Sequence, residues 1–287
     1  MNHLELDGIV TGFVIGSQFI DCIIKDKIVR VDKTSQQVVK SSIVFEKEGF
    51  ARDMIADETR LFIRDFYTLY ILNRNDFSLL AILQLGTDLK SDICGMEIDE
   101  DYIYACIRNG QIKKINLNTY NIESTTEYDS GSIWDIRVAG DKLIGSSVDG
   151  QILHIDKESM NMESELKLSR QNIGSICLKD NYLYTAGQDK TIHKIALVNG
   201  DVIFKKRNAH KRMFDCIDVY KHWFITICYP MSELCFWNKN TFELEHRIEV
   251  PLKLSGRNVI NDDNLYIASR NIEGLYIINL NELEMRY

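Results

Sequence analysis

A hydrophobic residue followed by a small or polar one recurs along this chain at near-constant spacing. The copies are Val31-Asp32, Leu72-Asn73, Ile115-Asn116, Ile155-Asp156, Ile195-Ala196, Trp237-Asn238 and Ile278-Asn279. Successive copies lie 41, 43, 40, 40, 42 and 41 residues apart. The plainest copy is Asn181 to Val198, NYLYTAGQDKTIHKIALV. Its aromatic and β-branched run Tyr182 to Ala186 reads as one strand, Gly187 to Lys190 as a turn, and the alternating Thr191 to Leu197 as a second strand. A four-stranded unit repeating every 40–45 residues cannot bury its faces alone and must stack on its neighbours. The expected fold is therefore all-β, a seven-bladed β-propeller with four-stranded antiparallel blades. The competing arrangement is an irregular β-sandwich with coincidental spacing.

The repeat predicts one domain over residues 1–287, with blades near 8–48, 49–91, 92–132, 133–172, 173–212, 213–254 and 255–287 plus 1–7. Asn109-Gly110 and Asp149-Gly150 are strong hairpin turns, because Gly and Asn accept positive φ. No helix longer than two turns is expected. The last blade ends in a short fourth strand, Glu284 to Tyr287, and Met1 to Leu6 is expected to pair within that blade and cover its edge.

Hydrophobic residues make up 45% and charged residues 26%, a globular composition, and 2 prolines with 16 glycines leave no room for a long disordered linker. A net charge of −8 argues against broad binding to nucleic acid or anionic membrane. The seven cysteines are odd in number, lack CxxC spacing and fall mostly in strand-like runs, so buried reduced thiols in a cytoplasmic protein are expected. The N-terminal run carries Glu5 and Asp7 before its apolar part and no lysine or arginine before Lys25, unlike a signal peptide.

Ser146 to Asp156, SSVDGQILHID, and Thr185 to Ala196, TAGQDKTIHKIA, resemble the second half of a WD repeat, and Asn208 to Val219, NAHKRMFDCIDV, resembles the histidine-led segment before the next blade. The chain departs from that family in particular places. Only one third strand carries a tryptophan, Trp237, and only His210 matches the leading histidine; the sole Trp-Asp pair, Trp134-Asp135, falls in a first strand. The family's buried His–Ser/Thr–Asp–Trp network is expected to be complete in no repeat. The resemblance implies a rigid, non-catalytic platform that binds proteins or peptides on the face carrying the loops between blades and the turns between second and third strands.

Those inner turns place Lys25, Arg64, Arg108, Val148, Gln188, Tyr229 and Arg270 at equivalent positions, and Arg52 and Arg257 start first strands. Lys25, Arg64, Arg108 and Arg270 belong to consecutive blades. An arc of cations suits an acidic or phosphorylated partner, because guanidinium meets oxyanions bidentately; exposed turns are also often basic for no such reason. Trp134 and Tyr229 are candidate aromatic anchors for a peptide, while Phe214 reads better as packing. Asp53, Asp135 and Asp215 start first strands and could serve a propeller hydrolase or lyase acting on a small or sugar-like substrate, yet aspartates in such places commonly satisfy loop amides. The histidines lack metal-site spacing, and no phosphate-cradling glycine loop or nucleophile elbow is present. Neither metal nor cofactor is expected, and the protein should act as a monomer or as a subunit of a larger complex.

Overall fold

A computed structural model describes residues 2–45, 51–129, 131–214 and 216–285. Its strands, in chain order, are β1 (Asn2–Leu4), β2 (Val10–Ile15), β3 (Phe19–Ile24), β4 (Lys27–Asp32), β5 (Val38–Ile43), β6 (Asp53–Ala56), β7 (Arg60–Arg64), β8 (Thr68–Asn73), β9 (Leu79–Gln84), β10 (Ile93–Ile98), β11 (Tyr102–Ile107), β12 (Gln111–Asn116), β13 (Ile122–Glu127) and β14 (Ile133–Ala139). The remainder are β15 (Lys142–Ser147), β16 (Gln151–Asp156), β17 (Met162–Lys167), β18 (Ile173–Lys179), β19 (Tyr182–Gly187), β20 (Ile192–Ala196), β21 (Val202–Lys206), β22 (Cys216–Tyr220), β23 (Trp223–Cys228), β24 (Glu233–Asn238), β25 (Leu244–Glu249), β26 (Leu254–Asn261), β27 (Asn264–Ser269) and β28 (Leu275–Asn279). They form seven antiparallel sheets of four strands, the blades of a seven-bladed β-propeller. Six blades use four consecutive strands; the seventh has the order β1-β28-β27-β26.

The repeated pair marks the end of every third strand, β4, β8, β12, β16, β20, β24 and β28. Its chemistry explains why. In β4, Asp32 Oδ1 accepts from the Thr34 and Ser35 amides, and Asn73, Asn116, Asp156 and Asn238 cap their own turns in the same way. Four residues on, Gln36, Phe77, Tyr120, Met160 and Phe242 take positive φ, and each amide returns to the carbonyl of the capping residue. Ala196 has no such side chain, and its turn uses Gly200 at the left-handed position. Phe77, Met160 and Phe242 are buried there, so the turn also plugs the packing between blades.

The chain divides into two compact units, Met1–Leu85 with Pro251–Tyr287, and Gly86–Val250. In the first, Leu4, Val10, Ile20, Cys22, Tyr266 and Leu275 share a core between the seventh and first blades, and Ile23, Met54, Leu61 and Leu72 share one between the first and second. In the second, cores join the third blade to the fourth, the fourth to the fifth and the fifth to the sixth. From their third residue the outer strands β13 and β25 alternate between half-buried and exposed positions, and each carries two glutamates.

One expectation changes. Leu280–Met285 is a six-residue helix and not part of a fourth strand; Asn279 Oδ1 accepts from the Glu282 amide, and LNELEM contains no β-branched residue. Residues 286–287 of the expected strand lie outside the described residues. The fourth strand of the seventh blade is β1, paired with β28 through Asn2–Ile277, His3–Tyr276 and Leu4–Leu275. Phe214 precedes β22 and is fully buried, its ring 4.6 Å from that of His210 and tilted to it, which is the packing role expected of it. All seven cysteines are free thiols, and burial pushes those of Cys22, Cys106, Cys177 and Cys235 up. Among the described residues no helix is long and apolar enough to cross a membrane.

Candidate functional site

In the first unit Arg64 ends β7 and is only 7% exposed. Its Nε lies 3.7 Å from Asp53 Oδ2, across the β6–β7 pair. Arg52 donates its amide to the Arg64 carbonyl at 2.8 Å and lays its guanidinium over the Phe66 ring, 3.5 Å from the centroid. Lys25 is exposed in the β3–β4 turn with φ of 55°, and borders a cleft of about 130 Å³ floored by Leu6, Ile24, Val29 and Val38. Arg270 is exposed after β27, where its amide donates to the Lys253 carbonyl. Arg257 lies in β26, and its side chain falls outside what is described.

In the second unit Arg108 follows β11. Its amide donates to the Asp92 carbonyl and its Nη2 to Asp92 Oδ2, both at 2.8 Å, and the Ser132 hydroxyl donates to its carbonyl. The guanidinium stays 42% exposed and lies 5.5 Å from the Trp134 ring centroid. The Trp134 Nε1 proton has no partner among the described residues. Gly95 permits the close approach of β10 to β14, since a Cβ there would sit 2.7 Å from the Trp134 carbonyl. Tyr229 is half-buried in a 3-10 turn, Tyr229–Met231, between β23 and β24.

The first-strand aspartates are engaged. Asp135 accepts from the Ile136 amide at 3.0 Å and the Ile176 amide at 2.9 Å, and pairs with Arg137 Nη1 at 2.5 Å. Arg137 also reaches Glu97, at 3.6 Å. Burial pushes Glu97 up to about 7 despite Arg137, and Asp135 adds to the push. Asp218 is likewise raised by burial and accepts from the Cys177 thiol at 3.7 Å. Asp53 pairs with Arg64 as above, and Asp215 lies outside the described residues.

One buried network corrects the sequence expectation. His210 Nε2 meets the Thr226 hydroxyl at 2.7 Å, the same oxygen that accepts from Trp237 Nε1 at 2.9 Å, and His210 Nδ1 meets Glu233 Oε1 at 2.6 Å. The sixth blade thus completes the four-member network with glutamate where the pattern has aspartate. Glu233 opens β24, and its longer side chain spans the gap from that strand to the loop carrying His210. His210, Glu233 and Cys235 bring three ligand-type atoms within 4.8 Å. Their hydrogen bonds already engage one another, and the Arg247 guanidinium 3.5 Å from Glu233 disfavours a further cation.

Lys205 to Arg212, outside the inner turns, carries five lysines and arginines within eight residues. That density is visible only when the chain is read continuously.

No protein-family model matches the sequence, and no curated protein matches it. Solved structures do share the fold. The WD40 beta propeller domain of Doa1 superposes with a TM-score of 0.78 at 14% identity, over 97% of this chain and 94% of that one. The computationally designed Ika8 protein gives a TM-score of 0.72 at 10% identity, over 97% of this chain and 100% of that one. These likenesses show a WD40-like propeller fold.

Proposed function

We propose that this chain is a non-catalytic scaffold that binds a protein or peptide through the loops between blades and the turns between second and third strands, in the cytoplasm. Propellers of this kind present variable loops on rigid sheets, which is where binding residues concentrate. The observation that carries the reading is Arg108. Asp92 orients its guanidinium, Trp134 lies beneath it, and nearly half its surface remains open to a carboxylate or phosphate. Lys25 and Arg270 are the exposed members in the first unit, whereas Arg64 and Arg52 are spent on Asp53 and Phe66. Tyr229 serves as a secondary aromatic contact.

The test is affinity capture from native lysate, comparing wild type with R108E/W134A and with K33E/K239E, whose lysines lie in turns at the other end of the strands. The expected result is loss of the captured partner in the first variant only, with capture weakening as salt rises. Loss in K33E/K239E alone, or capture indifferent to salt, overturns the assignment.

A further inference from the structure

Residues 202–214, VIFKKRNAHKRMF, hold five of the chain's 34 lysines and arginines and no aspartate or glutamate, within a protein of net charge −8. They run from β21 into the loop before β22. Lys205, Arg207, Lys211 and Arg212 are exposed, and none is ion-paired or hydrogen-bonded through its side chain to any described residue. Lys206 differs: it is half-buried with its ammonium 5.7 Å from the Trp237 centroid.

The backbone between these cations is pinned. Asn208 turns the chain at φ 53°, and the Ala209 amide donates to the Lys190 carbonyl at 3.0 Å. His210 is buried with both ring nitrogens engaged, and its ring lies 4.6 Å from that of the buried Phe214. Arg207 therefore precedes and Lys211 and Arg212 follow a fixed point, so binding need not order a loose loop. Among the described residues, Asp189 accepts from the Thr191 amide, and Glu233 is buried against His210. Met213, 39% exposed, adds an apolar surface beside the charges.

We infer that this loop, one of those between blades, binds a phosphorylated peptide segment, an inference that rests on the scaffold reading above. A phosphate carries close to two negative charges and three acceptor oxygens, which suit the forked donors of Arg207 and Arg212, with Lys205 and Lys211 adding charge. An aliphatic residue beside the phosphate packs on Met213. A short segment meets only the basic loop, whereas a polyanionic strand or membrane also meets the remainder of the chain, which is more acidic still.

The test uses an array of twelve-residue peptides with phosphoserine amid aliphatic residues, each beside its unmodified twin, probed with the full chain. Phosphorylated spots should bind and their twins should not. R207E/R212E should weaken binding tenfold or more at an unchanged melting temperature, and R207K/R212K should weaken it at least threefold, because lysine keeps the charge and loses the fork. K179E/K221E, at the end of β18 and in the turn after β22, should stay within twofold of wild type. Equal binding of twin peptides, unaltered binding by R207E/R212E, full displacement by millimolar inorganic phosphate, or preference for phosphatidylserine vesicles over the array each overturns the proposal.

Discussion

Glu233 and His210 meet at 2.6 Å inside the sixth blade, and the imidazole they hold between carboxylate and hydroxyl ties the loop before β22 to strands β23 and β24. Burial lowers the His210 pKa, while the Glu233 contact works against that shift without reversing it.

Thr226 is the hub of that network, taking the Trp237 proton and meeting His210 with one hydroxyl. Thr226→Val keeps the shape and leaves buried polar groups unpaired, so urea unfolding should show a loss of about 2–4 kcal/mol. Thr226→Ser should retain most of it. A Thr226→Val loss below about 0.5 kcal/mol would show that the network adds nothing to stability.

Acid should weaken the fold through His193, whose Nδ1 lies 3.1 Å from the Thr185 hydroxyl. Burial first, and Lys205 second, hold this imidazole down at about 4, against 6.5 for a free histidine. Between those values the unfolded chain binds the extra proton. The stabilisation is thus complete above about 6.5 and lost as pH falls toward 4, at most about 3 kcal/mol. Glu97 has the opposite sign: raised to about 7 from 4.5, it stabilises below 4.5 and loses that effect as pH rises to 7. Between pH 7 and pH 5 the two effects oppose each other and are of similar size, so they should leave the melting temperature nearly level. His193→Gln should make it rise as pH falls over that range and Glu97→Gln should make it fall; parallel curves for all three proteins would refute both assignments.

Gly274 holds β1 in place. It adopts φ of 84°, donates to the Gly8 carbonyl at 3.0 Å and bridges Ile9, and a Cβ there would sit 2.0 Å from the Leu4 carbonyl. Gly274→Val should displace β1, uncover the core that receives Leu4 and Leu6, and lower the melting temperature by several degrees. Removal of residues 1–7 should do the same. Unchanged melting in both variants would mean that β1 contributes no stability.

Asp21 is fully buried and meets Arg30 Nε at 2.6 Å and Arg74 Nε at 3.0 Å. Asp21→Asn leaves two guanidinium groups short of a counter-charge, so denaturant titration should show a loss of about 3–5 kcal/mol. A loss under 1 kcal/mol would show that solvent compensates both arginines.

The blade count was legible because the turn after each third strand depends on local chemistry. Asp32, Asn73, Asn116, Asp156 and Asn238 cap amides two or three residues ahead, and such short-range demands leave a trace at fixed spacing. The Glu233 network was not legible, because a glutamate one strand away can replace an aspartate in a turn only if the backbone geometry is known. LNELEM could not be separated from EMRY as strand or helix by periodicity over so few residues. Among the candidate cations, burial separates Arg64 from Arg108, and burial depends on Asp53 and Asp92, which lie 11 and 16 residues away in sequence.

The pairing of β1 with β28 brings together segments separated by some 270 residues. During synthesis, Asn2–Leu4 has no partner until Leu275–Asn279 has left the ribosome, and the apolar side chains of Leu4 and Leu6 wait with it. Closing so long a loop is slow, and the waiting edge is open to other chains meanwhile. Refolding from denaturant should therefore lose yield steeply as protein concentration rises, and a circular permutant that joins β1 directly to the chain after β28 should refold faster and aggregate less.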